Sequence, residues 1–135
     1  MITRCGAGDA VLNVKDAITM HIRWKVTLQL AITRQEPLSS GAIRAIQQPD
    51  ECCIGAWLRS RETVAIRQEP EYIAVVVQHT AFHREMLQIA DRIANKDFAA
   101  ANRCLDPRGS FHRASLALAS ALTALNLIQK IALRG

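Results

Sequence analysis

Two histidines set the chemistry of this sequence. His79 and His83 stand four apart in the run Gln-His-Thr-Ala-Phe-His-Arg-Glu-Met, residues 78–86. On a helix, residues four apart lie one above the other on the same face. Two imidazoles so placed can grip one metal ion, as the paired histidines of H-E-x-x-H do. Here Thr80 follows the first histidine where that motif carries Glu. The general base of a zinc protease is missing, so the pair reads as ligands without catalytic equipment.

The face matters as much as the spacing. Tyr72, Val76, His79, His83, Met86, Ala90 and Ile93 alternate four and three apart, the pattern of an inward stripe on a bundle helix. Both histidines then point into a core, where an unpaired polar group is costly. Either each finds its own hydrogen-bond partner or the two share an ion.

The surrounding elements follow from composition and punctuation. The chain has 135 residues, half of them hydrophobic, with 4% aromatic residues and sparse Gly and Pro. That suits one helical domain, spanning 1–135, with a core of useful size. Seventeen basic and 12 acidic residues give a formal charge of +5. The arginines are scattered, so they read as a solvated exterior, and no nucleic-acid motif stands behind them. Met1–Ala10 lacks the apolar centre of a signal peptide. The longest uncharged apolar stretch, Ala114–Ile128, is shorter than a membrane span. The expectation is a cytoplasmic protein outside the membrane, whose four cysteines are free or metal-bound rather than disulfide-paired.

Asp9 can cap a first helix running to about Arg34, ahead of Glu36-Pro37. Its inward stripe reads Val11, Val14, Ile18, His21, Lys25, Leu28 and Ile32. Lys25 is the misfit: it snorkels, or the stripe is rotated towards Trp24. Leu38–Glu51 is a connector, with Ser39, Ser40 and Gly41 opening a short helical turn. Cys52–Leu58 starts a short helix to about Ser60, and a cysteine at a helix N-terminus is pushed towards thiolate. Gly55 there permits close approach of another backbone. Pro70 suits the first turn of the next helix, which carries His79 and His83 to about Asn95. Asp97 can cap the one after it. Pro107-Arg108-Gly109-Ser110 breaks the chain between Leu105 and Ser110, and Ser110 can recap a last helix to about Leu133. Its inward stripe is Leu118, Ala121, Leu125, Ile128 and Ala132. Long helices with short links imply an all-α, antiparallel up-down four-helix bundle with a short extra helix carrying the cysteines.

The order His-x-x-Trp (His21, Trp24), Cys-x-x-Gly-x-Trp (Cys52, Gly55, Trp57), His-x-x-x-His (His79, His83) resembles the chemoreceptor zinc-binding domain, the CZB family. The likeness continues through Gly109-Ser110-Phe111 and Ala114-Ser115. It implies a four-helix bundle holding one Zn2+ by three histidines and one cysteine: here His21, Cys52, His79 and His83. The Cys-x-x-Gly spacing selects Cys52 over its neighbour Cys53. Such a closed tetrahedral site leaves no position for a reactive water, so no enzyme is expected. The resemblance further implies a homodimeric sensory module in chemotaxis or cyclic-di-GMP control, working through a chemoreceptor or diguanylate cyclase partner, stand-alone or cut from a longer receptor. No Gly-Gly pair occurs, so no cyclase signature loop is present. Two other readings compete. One is oxidant sensing through a zinc-bound Cys52. The other is a hemerythrin-like di-iron bundle, for which Glu85 and Asp91 fall off the His79 stripe. Cys5, Cys104 and His112 lie outside the pattern, and Trp24 and Trp57 are read as packing residues.

Overall fold

The computed structural model describes residues 13–134, with side chains through residue 131. Asp9, Val11, Cys5 and the side chain of Ala132 therefore lie outside the described residues. All regular structure among those described is helical.

The first helix, α1 (Val14–Arg34), is capped by Asn13, whose side chain accepts the Asp16 N–H at 3.0 Å. It thus begins five residues beyond the expected cap at Asp9. It ends on Gln35, which adopts a left-handed conformation with φ of 53° and returns its N–H to the carbonyls of Ala31 and Ile32. That closes the orphan carbonyls of the last turn just before Pro37. Ser39 caps α2 (Ser40–Gln47) through the Ala42 N–H. A 3₁₀ turn at Pro49–Glu51 leads into α3 (Cys53–Leu58), and a second 3₁₀ segment covers Arg61–Ile66. Pro70 opens α4 (Pro70–Ala94), where its missing N–H costs nothing. Asp97 caps α5 (Phe98–Cys104) by accepting the Ala100 N–H. The last helix is α6 (Ser110–Arg134).

Three of these helices are long, with 21 residues in α1 and 25 each in α4 and α6. The segment behind Asp97 is only a seven-residue link. It returns the chain so that α6 packs along α4, the most extensive helix contact among the described residues. Phe82 and Phe111 stack there with centroids 5.3 Å apart. Ser110 Oγ donates to Glu85 Oε1 at 2.6 Å, so Ser110 ties α6 to α4 rather than capping its own helix. Phe82, Met86, Ile89, Leu118, Leu122 and Leu125 are essentially water-free. Each such side chain stabilises by roughly 1.5–3 kcal/mol of burial.

Two expected stripes need adjusting. On α1, Lys25 is exposed and Trp24 half-buried, so the stripe turns through Trp24 between His21 and Leu28. On α4, Val76 is exposed and Val75 is buried, joined by Phe82 and Ile89. The cause is that α4 is covered on several sides, by α6, by α5, and by α1, α2 and α3. A one-sided stripe is too narrow for it. On α6, Ser110–Ile131 is long and apolar enough to cross a membrane by length and composition, a longer stretch than the uncharged run read from sequence. Its exposed side carries Leu116, Leu127 and Ile131.

Candidate metal centre

Three elements converge on one point. α1 brings His21, the start of α3 brings Cys52, and α4 brings His79 and His83. One ligating atom from each lies within 4.8 Å of all the others. The three histidines are buried, at 3–5% exposure. The rings of His79 and His83 sit 4.6 Å apart by centroid, with His21 at 5.6 Å from His79 and 6.1 Å from His83. The four residues expected from the sequence are therefore brought together. His112 and Cys104 are not part of the group.

Backbone carbonyls orient two of the rings. His21 Nδ1 lies 3.0 Å from the Ala17 carbonyl, and His83 Nδ1 lies 3.1 Å from the Ile46 carbonyl. A carbonyl can only accept, so both Nδ1 atoms carry the proton. Their Nε2 lone pairs are thereby aimed at the cluster. Metal-binding histidines are commonly held this way, with the outer N–H on a carbonyl or carboxylate. His21 Nε2 is 3.3 Å from Cys52 Sγ and accepts a hydrogen bond from the thiol. The Nε2 atoms of His79 and His83 are buried with no partner among the described residues. An unsatisfied buried polar atom costs roughly 1–3 kcal/mol. A shared ion would satisfy both.

The protonation states suit an ion that takes lone pairs. Burial pushes His21 down to about 4, with the Ala17 carbonyl opposing and His83 adding a smaller downward push. Burial likewise takes His79 down to about 2, helped by repulsion from His83 and His21. His83 is lowered by burial, against the pull of the Ile46 carbonyl. All three are neutral at neutral pH, as ligands must be. Cys52 behaves differently from expectation. It sits at the N-cap of α3, but burial raises its thiol, outweighing the nearby Ile54 and Gly55 N–H groups. Neither N–H makes a well-formed capping bond to the sulfur, so the short helix alone does not create a thiolate. A bound cation would supply that charge.

Gly55 sets the position of the cysteine. A Cβ placed there would stand 2.0 Å from the Pro49 carbonyl oxygen. Only glycine lets α3 lie flat against the Pro49–Glu51 turn, and Cys52 is the joint between the two. Cys53 is disulfide-bonded, so the expectation of free or metal-bound cysteines does not hold for it. Cys52 is a free thiol, which supports the choice made by the Cys-x-x-Gly spacing.

The donor set fits zinc. Ligand atoms around tetrahedral zinc stand about 3.3–3.8 Å apart, given bonds of about 2.0–2.3 Å. The Cys52–His21 pair already has that spacing at 3.3 Å. The widest pair, within 4.8 Å, needs to close by about 1 Å. The group contains no carboxylate, and Glu85 is engaged with Ser110. Sequence reasoning missed three supports of the site. The Ala17 and Ile46 carbonyls are backbone groups and leave no mark in residue type. Phe82 packs its ring 5.5 Å from His21 and 6.2 Å from His83; its place three residues after His79 was the available signal.

No protein-family model, curated protein or solved structure matches this chain. The likeness to CZB domains rests on the quoted sequence residues alone; the cluster itself shows a group able to hold a metal ion.

Proposed function

We propose that the chain is a zinc-binding sensory or regulatory domain of the CZB kind, with Zn2+ held by His21, Cys52, His79 and His83. The observation that carries this reading is the pair of partnerless Nε2 atoms on His79 and His83, buried beside a free thiol. Four protein ligands complete a tetrahedron, so the centre binds and reports rather than catalyses. Zinc would bridge α1, the α2–α3 region and α4, which makes occupancy a conformational input. On this reading the molecule is a variant of the antiparallel four-helix bundle, with α2 and α3 beside α1, α4 and α6. The output would pass through a homodimer to a chemoreceptor or diguanylate cyclase partner in the cytoplasm. The exposed stripe Ile22, Val26 and Leu30 on α1 supports an interface of that kind.

A second reading, oxidant sensing, draws on the position of Cys52. Cys52 lines a cavity that also touches His21 and His83, so an oxidant could meet a zinc-bound thiolate there. The di-iron reading gains nothing from a group without carboxylates.

Elemental analysis of protein purified without added metal tests the assignment. One zinc per chain is expected, falling well below stoichiometric in His79→Ala or His83→Ala. Two irons per chain would replace the zinc reading with the di-iron one.

A further inference from the structure

Among the described residues, the cluster is open on one side. A cavity of about 280 Å³ lies against it, with His21, Cys52 and His83 as one wall. Met20, Trp24, Ala42 and Ala45 supply apolar lining beside these polar groups. Arg23 is the sole Asp, Glu, Lys or Arg side chain lining the space. It is exposed, and among the described residues it has no ion pair or hydrogen bond.

These walls select a ligand by size, shape and charge. Apolar cavities of about 150 Å³ can hold a benzene ring, so this one has room for a substituted ring. The Trp24 indole offers an aromatic contact, and the Met20 thioether is a favourable neighbour for a ring. An Arg guanidinium without a partner accepts a carboxylate through two parallel hydrogen bonds. We propose that this cavity is a second ligand site, for a small aromatic molecule bearing one carboxylate, seated against Trp24 and Met20 with its charge on Arg23. The site does not need the metal, but it shares three residues with it. Where the zinc reading holds, two zinc charges less one thiolate leave a single positive charge on that wall. Zinc then strengthens binding of the anion, and the anion strengthens binding of zinc by the same factor.

Full-length ¹⁵N-labelled protein, metal-free and zinc-loaded, is titrated with benzoate, benzyl alcohol and benzylamine while the Trp24 indole and the Ala45 amide signals are followed. Benzoate is expected to saturate these signals in the metal-free protein and to bind at least tenfold tighter than benzyl alcohol, with benzylamine weakest. Arg23→Gln should erase the preference for benzoate. Ala45→Leu should weaken benzoate at least tenfold by filling the space. Absence of saturable shifts, equal binding of benzoate and benzyl alcohol, or an unchanged preference in Arg23→Gln overturns the proposal. Equal benzoate affinity with and without zinc removes the coupling. Failure to load zinc at all defeats the metal reading and leaves the metal-free titration to decide the cavity.

Discussion

Cys52 governs the proton balance of metal binding. Its thiol is held protonated by burial, while His21 and His79, at about 4 and about 2, are already neutral. Binding a cation therefore releases one proton, from sulfur, across the neutral range. Zinc affinity should rise about tenfold per pH unit between about pH 6 and 8, or about 1.4 kcal/mol each. Histidines titrating at their ordinary value near 6.5 would steepen that slope on the acid side. Chelator competition at several pH values measures it, and Cys52→Ala should flatten it nearly to zero. A slope of two or more protons near pH 6 would mean the rings are wetter than they are here. The ligand types were legible because the chemistry of His and Cys is carried by side chains. Their protonation was not, since burial by distant segments overrode the local helix effect expected at Cys52.

Among the elements, α3 is the most constrained by a single residue. Gly55→Ala places a methyl 2.0 Å from the Pro49 oxygen, and a backbone atom there cannot swing away. The helix must lift off the Pro49–Glu51 turn, at a cost of roughly 1–3 kcal/mol for forced overpacking. Cys52 moves with it, so zinc affinity should fall at least tenfold. Gly41→Ala is the control: nothing stands within 4 Å of its Cβ, and in α2 it should be neutral or stabilising by up to about 1 kcal/mol. Denaturant melts and zinc titrations of both variants check this, and equal effects would remove Gly55 from its role. Caps and breaks were readable where one residue decides them, as at Ser39, Pro70 and Asp97. Stripes were less so. The expected Val76 lost to Val75 because α4 is wrapped by several neighbours, whereas on α1 the rotation towards Trp24, one of the two alternatives at Lys25, is what the structure has.

For the molecule as a whole, the buried histidines make the metal-free fold sensitive to acid, and zinc should relieve this. The convergence of α1, α3 and α4 lies beyond sequence periodicity, since residues 21, 52, 79 and 83 share no local register. Only the resemblance placed them together in advance. The sign of the pH effect follows from the lowered values. Below about pH 6.5 the unfolded chain protonates its histidines, while folded His21 and His79 stay neutral to about 4 and about 2. The unfolded state then binds more protons, so stability falls as pH falls. Each histidine contributes up to about 1.4 kcal/mol per pH unit below that point. For His21 and His79 together, one unit of acidification removes up to about 3 kcal/mol, a large share of the roughly 5–15 kcal/mol typical of a domain, and the lowered His83 acts in the same direction. Urea denaturation of metal-free protein at pH 7.5 and 5.5 should show that loss. His79→Gln, which cannot take up the proton, should lessen it. Zinc at a hundredfold excess over its dissociation constant adds about 2.7 kcal/mol at either pH, although acid raises the concentration needed because binding must still expel the Cys52 proton. Equal metal-free midpoints at the two pH values would mean that the histidines are hydrated and that the cluster is not the dry, partnerless site from which the metal assignment proceeds.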